Sequence, residues 1–427
     1  MVRQSGPTGS RRGVGPGTGT GPGLRPWHFV LAFGLVSLLA DMVYEGARSI
    51  IGPYLATLGA SATIVGIAAG AGEFIGYALR VASGYLVRRS RHYWTWTITG
   101  YALTVASVPL IGATNLLAPA LVLYGTERLG KAVRSPAKDT LLSHAASSTG
   151  RGTAFGVHQA MDQLGAVLGP LLLAAILSVR QGDYRLAFAV LAVPGVLVIA
   201  VLFWLRARVP DPGAYETAQD PGPSADPNDT NAARERGQPS RAVLPVQYWR
   251  YVAAVAVLSA GVASFPLLAF HAQTRGLLTE AQIPILFAVA MLVDGASGLV
   301  MGWVYDRAGP RVLLVVPVAA SAAAIAFTDD ASLIWVGVAI WGVVNGVLDS
   351  TVKAVVTDLV DRDSRAVAFG WLALVRGIGL LLAGAVLGLS YDHSITLVVW
   401  IIVTANAAAL GGLAWVIRGM RGDSTFA

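Results

Sequence analysis

The chain contains no cysteine, so disulfides, thiolate metal sites and cysteine nucleophiles are excluded from the start. Charge is also scarce: only 13% of the 427 residues are Asp, Glu, Lys or Arg, whereas 55% are hydrophobic. A soluble domain of this length needs far more charge to cover its surface, so the composition points to a membrane protein. No phosphate-binding Gly-x-x-x-x-Gly-Lys-Ser/Thr loop occurs, which argues against ATP as a direct energy source. The net charge of +7 gives no nucleic-acid patch, because the basic residues form short clusters between apolar runs. The first 25 residues, rich in Gly, Pro and Arg, lack the apolar core of a cleaved signal peptide and are expected to form a disordered tail.

Long hydrophobic runs are abundant. A spanning helix needs about 20 mostly apolar residues. Such runs cover 27–58, 61–87, 93–113, 116–142, 153–179 and 184–205, and then 247–274, 281–305, 312–327, 332–359, 366–389 and 395–417. These twelve fall into two sets of six, separated by a stretch dense in Pro, Asp, Gly and Ser. The expected organisation is a tail at 1–25, a six-helix bundle at 26–208, a flexible linker at 209–245, a second bundle at 246–418 and a short tail at 419–427.

Arg88, Arg89 and Arg91 follow span two, Arg151 span four, and Arg206 and Arg208 span six. Arg307 and Arg311 follow span eight, Arg362 and Arg365 span ten, and Arg418 and Arg421 span twelve. The alternate loops carry little beyond Arg180, Arg185 and Arg275, so the positive-inside rule predicts two cytoplasmic termini. Arg151 with Phe155-Gly156 matches Arg365 with Phe369-Gly370 at one offset, which suggests duplicated halves.

The segment Gly302-Trp-Val-Tyr-Asp306-Arg307-Ala-Gly309-Pro-Arg311 resembles the G-x-x-x-D-R-x-G-x-R loop of the major facilitator superfamily. Glycines there permit a tight turn, and an acid gains from a neighbouring helix N-terminus. The equivalent first-half loop departs from the pattern, with Arg88 in the aspartate's place. Glu127-Arg128-Leu-Gly130-Lys131 is similar to the family's fourth-helix motif. Gly165-Ala-Val-Leu-Gly169-Pro170 is similar to the first half of a drug–proton antiporter motif, without its closing glycine pair. Helix packing around a proline kink explains the same residues without reference to function. The resemblance implies an all-α membrane protein with twelve transmembrane helices in two six-helix bundles, the major facilitator fold. It also implies alternating access with no cofactor and no metal, in the inner membrane of a bacterium, with a monomer sufficing.

Ionisable groups inside a membrane are costly, about 2.5–3.5 kcal/mol each on insertion scales, and are retained for function or pairing. Asp41, Glu45 and Arg48 share one face of span one, with Tyr44 at its edge, and Glu73, Tyr77 and Arg80 repeat the spacing in span two. Span four adds Glu127, Arg128 and Lys131, and span five His158 and Asp162. The second half holds only Asp294, Asp349, Lys353 and Arg376.

This asymmetry suggests that the first half handles a coupling proton, through Asp41 first and then Glu45, Asp162 and Arg128. Tyr44, Arg48, Glu127, Lys131, Asp294, Asn345 and Arg376 are candidates to line the solute cavity. Glu73 with Arg80 reads as a static salt bridge, and Glu73 with Arg376 as a pair bridging the halves. His158 reads as a packed or hydrogen-bonded histidine. Trp341 and Trp371 lie deeper than the interfacial tryptophans, with packing the simpler account. The expected function is proton-coupled export of a small amphiphilic molecule. Proton-coupled uptake of a metabolite is the alternative, and a membrane enzyme is disfavoured because the loops lack paired acids or histidines apart from Lys138, Asp139 and His144 near the end of span four.

Overall fold

The structure is a computed structural model that describes residues 23–217, 244–361 and 364–422. Most of the expected tail and linker, and Arg362, lie outside those residues. The first half runs α1 (Pro26–Thr57), α2 (Ala62–Ser90), α3 (Tyr93–Ala113), α4 (Leu117–Thr149) and α5 (Arg151–Val179). Its sixth span is split into α6 (Tyr184–Val190) and α7 (Ala192–Arg208), and a turn of helix, α8 (Ala214–Thr217), follows. In the second half, α9 (Val246–Ala260) and α10 (Phe265–Thr274) share one span, followed by α11 (Gln282–Ala308). The ninth span is α12 (Val315–Ala323) flanked by 3₁₀ turns at Gly309–Leu314 and Ala324–Phe327. It is followed by α13 (Ala331–Leu359), α14 (Arg365–His393) and α15 (Ile395–Gly422).

Local chemistry sets several of these ends. Pro26 opens α1, where its missing N–H costs nothing. The Ser61 hydroxyl caps α2 by accepting from the Ile64 N–H at 3.3 Å, and the Asp330 carboxylate caps α13 at Ser332 at 2.8 Å.

Ten helices are long and apolar enough to cross a membrane by length and composition. The helix α4 fails that criterion because its charges dilute its apolarity, and one qualifying stretch, Gln282–Phe327, is 46 residues long. At about 1.5 Å per residue, that stretch is roughly twice the thickness of a bilayer core. Gly309, at φ +63°, interrupts it between α11 and α12, so it holds two spans and the expected twelve are accommodated.

The break in span seven falls at 261–264, where backbone carbonyls would be costly to leave unpaired in lipid. The Asn406 side chain of α15 donates to the Gly261 carbonyl at 2.8 Å, and the Trp341 indole of α13 donates to Ala263 at 2.8 Å. Trp341 therefore acts in packing, while Trp371 stacks edge-on with Trp249 at 5.6 Å.

The two bundles meet along α2 with α14, α1 with α10, and α5 with α11. The ends carrying Pro26 and Arg418 define a terminal face, and the opposite side a far face. At the far face, Asp392 of α14 accepts from the Ala62 and Thr63 N–H groups at 3.0 Å each and from the Thr63 hydroxyl at 2.6 Å. Glu280 accepts from the Gly182 N–H, and deeper in, Gln163 of α5 donates to the Met291 carbonyl of α11. Among the described residues, the bundles are thus hydrogen-bonded to each other toward the far face and mid-membrane, and not at the terminal face.

Glycine makes the fastening possible. A Cβ at Gly66 or at Gly384 would overlap the other's carbonyl oxygen, and one at Gly388 would press on Ala62. Small residues let α2 and α14 touch backbone to backbone.

Candidate functional site

Helical periodicity aligns Ser37, Asp41, Tyr44, Glu45 and Arg48 along one stripe of α1. A second stripe on α4 holds Tyr124, Glu127, Arg128, Lys131, Arg134 and Lys138. The packing of α1 and α4 with α2 and α5 turns the stripes into two linked clusters.

The first cluster centres on Arg128, whose side chain is 2% exposed. It reaches Glu127 at 3.1 Å and Glu73 at 3.4 Å, and it donates to the Tyr124 hydroxyl at 3.0 Å. The Tyr44 and Tyr124 rings flank the guanidinium at 5.2 and 5.0 Å. Arg48 shares Glu73 at 3.3 Å and reaches Glu45 at 3.6 Å, while facing the Phe287 ring of the other bundle at 5.9 Å. Lys131 donates to the Tyr44 hydroxyl. Burial makes these pairings obligatory, since an unpaired charge here would be strongly destabilising.

The second cluster lies toward the terminal face. The Ser37 hydroxyl meets His158 Nε2 at 3.2 Å, and Lys138 approaches Ser37 at 3.5 Å and Asp162 at 3.9 Å. Asp162 is also 3.9 Å from His158, which stacks on Phe33 at 6.2 Å. Asp41 sits between the clusters, within electrostatic reach of Asp162, Glu45, Lys131 and Lys138. Among the described residues it makes no ion pair or side-chain hydrogen bond.

On the second bundle, both terminal nitrogens of Arg376 donate to one oxygen of Asp349 at 3.2 Å. The Arg376 side chain is 11% exposed and that of Asp349 64%. The Tyr77 ring of α2 lies 5.5 Å from the guanidinium, across the bundle boundary. Asp294 is half-buried and within electrostatic reach of Asp349, Glu45, Arg48 and Arg376, but enters no ion pair among the described residues. Asn345 donates back to the Trp341 carbonyl at 2.9 Å.

Two sequence expectations are corrected. Glu73 does not pair with Arg80: seven residues along a helix are about 10.5 Å, too far for a salt bridge on one face, and Glu73 instead serves Arg48 and Arg128. Nor does Glu73 pair with Arg376, which is held by Asp349.

Other expected residues are placed as follows. Gly165 and Gly169 lie against the carbonyls of Leu38 and Met42, so the Gly165-Gly169-Pro170 segment forms the tight α5–α1 contact. In the Gly302–Arg311 loop, Gly309 makes the turn after α11 and Arg307 stacks over Trp303 at 3.6 Å. Asp306 is exposed on the last turn of α11, and Arg311 lies in the 3₁₀ turn that follows.

Several partners escaped the sequence reading. Arg134 is buried between α3 and α4, stacked on Tyr101 at 4.5 Å and donating to Thr104 at 2.8 Å. Its place on the α4 stripe was the available signal. Tyr124, and Asp349 as the partner of Arg376, gave none, because spacing within one helix does not name the helix that packs across from it.

The sequence profile of the Major Facilitator Superfamily matches residues 33–384 and 252–424. An uncharacterized protein of Mycobacterium tuberculosis is 44% identical over 392 residues, covering 92% of this chain and 93% of that protein. An uncharacterized MFS-type transporter of Methanocaldococcus jannaschii is 23% identical over 368 residues, covering 84% of this chain and 87% of that one. Among solved structures, an aspartate-to-alanine mutant of the nucleoside transporter NupG superposes with a TM-score of 0.72 at 11% identity, over 92% of this chain and 99% of that one. A bacterial homolog of the human lysosomal transporter Spinster, in an inward-facing and unoccupied conformation, gives a TM-score of 0.63 at 15% identity, over 93% and 96%.

Proposed function

Since this chain belongs to the Major Facilitator Superfamily, we propose that it is a proton-coupled secondary transporter that moves a small amphiphilic solute by alternating access. The observation that carries the coupling is Asp41, an acid inside the membrane without an ion pair among the described residues, where its neighbours are paired. A proton on Asp41 removes its charge, and a proton lost returns it to the reach of Lys131 and Lys138. Asp162, His158 and Ser37 continue a polar track from Asp41 toward the terminal face. Glu45 and Arg128 hold the first cluster together around that exchange.

The arginine-rich loops support an orientation with the terminal face, and both chain ends, on the cytoplasmic side of a bacterial inner membrane. On that orientation the far-face fastening makes this an inward-facing state. Tyr44, Arg48, Lys131, Asp294, Asn345 and Arg376 then border the cleft that receives the solute, and a single chain supplies all of them. Export in exchange for protons is the direction favoured by the Gly165-Gly169-Pro170 segment. Uptake together with protons is the second reading, favoured by the charge on the cleft wall.

The test uses inverted membrane vesicles with an acid interior, a pH-sensitive dye, and a panel of lipophilic drugs, sugars and organic acids. Proton release on adding one compound, lost in Asp41→Asn, is the expected result. Release that survives in the variant removes Asp41 from the proton path. Silence across the panel, with solute accumulation in right-side-out vesicles, replaces export by uptake.

A further inference from the structure

Arg376 has more donors than its partner uses. A guanidinium offers five N–H donors in a rigid fork suited to two carboxylate oxygens. Here both terminal nitrogens converge on a single oxygen of Asp349, each at 3.2 Å. Charge-assisted bonds are ordinarily shorter, about 2.7–2.9 Å. The Arg376 Nε is buried and has no hydrogen-bond partner among the described residues. Asp349 itself is largely exposed.

Most other cations near the bundle boundary are committed elsewhere; Arg80 of α2 and Lys353 of α13 enter no ion pair among the described residues but, unlike Arg376, hold no exposed carboxylate in place. Arg48 and Arg128 each hold two carboxylates, Lys131 is on Tyr44, and Arg134 is sealed between α3 and α4. Glu73 lies within electrostatic reach of Arg376 but is spent on Arg48 and Arg128.

We propose that Arg376 is the docking point for a carboxylate on the solute, and that Asp349 is a placeholder that holds the guanidinium while the cleft is empty. Exchanging one carboxylate for another never leaves the buried guanidinium uncompensated, so the swap avoids the large cost of an orphaned charge. A solute carboxylate can take both fork positions, which Asp349 does not. Tyr77, stacked from the opposite bundle, fixes the plane of the fork at the boundary that opens and closes. The solute class is therefore an amphiphilic organic anion. This assignment rests on the transporter reading and names the substrate class of its cleft.

The test is binding to the purified full-length protein in detergent without any gradient, so it does not depend on coupling. Benzoate, benzylamine and benzyl alcohol, matched in size and differing in charge, are titrated while the thermal unfolding midpoint is followed. Benzoate alone is expected to raise the midpoint saturably. Arg376→Gln should abolish that response and Arg376→Lys weaken it severalfold, because an ammonium cannot present the fork. Asp349→Asn should tighten benzoate binding severalfold by removing the competitor. This variant decides the matter even where the Arg376 variants fail to fold.

A response to benzylamine as strong as to benzoate, no response to benzoate, or weaker benzoate binding in Asp349→Asn overturns the proposal. Benzoate binding that follows the Arg376 and Asp349 variants, alongside vesicles in which Asp41→Asn changes nothing, would sink the coupling reading and leave the docking point standing.

Discussion

At the residue scale, the site is built from charges whose partners are fixed by geometry. Arg128 touches two carboxylates, a hydroxyl and two aromatic faces, so no lysine can replace it. Arg128→Lys should lower stability by about 3–5 kcal/mol, the range for breaking a buried ion pair, read as a fall in the unfolding midpoint in detergent. An unchanged midpoint would show the cluster to be a loose assembly. At the far face, Arg275 grips Asp329 through two bonds of 2.8 and 2.6 Å and holds its carboxyl below the ordinary value of 3.8. A depressed acid contributes stability above that ordinary value and loses it as pH falls through its own lower one. Wild type should therefore lose an advantage over Asp329→Asn only below about pH 4, checked by unfolding midpoints across pH. The sequence revealed which face of each helix carries these groups. It could not reveal that Glu73 bridges α1 and α4, since that depends on which helices the fold brings together.

At the element scale, hydrophobic length located the spans, and the helices start within a few residues of the expected positions because caps such as Ser61 and Pro26 lie at the edges of the runs. The interruptions in spans six, seven and nine were missed because hydrophobic length does not separate a continuous helix from a broken one, although Gly261, Ser264 and Pro266 mark the break in span seven. What permits the break at 261–264 is a donor from far along the chain, Asn406. The α2–α14 contact depends on glycine at 66 and 384. Gly66→Leu should push these helices apart and favour the state open at the far face. Transport should fall at least tenfold while the protein still reaches the membrane. The chain has no cysteine of its own, so a single introduced thiol reports opening without background. Ala62→Cys, buried in the seam, should react slowly with a membrane-impermeant maleimide in the parent and fast when combined with Gly66→Leu.

At the scale of the whole molecule, the bundles are joined by few polar contacts, and Asp392 makes three of them. Asp392→Asn should weaken this far-face cap by about 1 kcal/mol, which raises the open population roughly fivefold. The same Ala62→Cys reaction measures it, and an unaltered rate would mean that the glycine seam alone holds the face shut. The seam has a further property. Joining two protein surfaces usually freezes long side chains, at up to ~2 kcal/mol of rotamer entropy apiece. Gly66, Gly70, Gly384 and Gly388 have no rotamers to freeze, so the far face can close without ordering side chains along that line. Along the seam, the temperature dependence of gating then belongs to the water and lipid that leave it, and the chain's own share comes from side chains such as Asp392 and Glu280 that are ordered beside it.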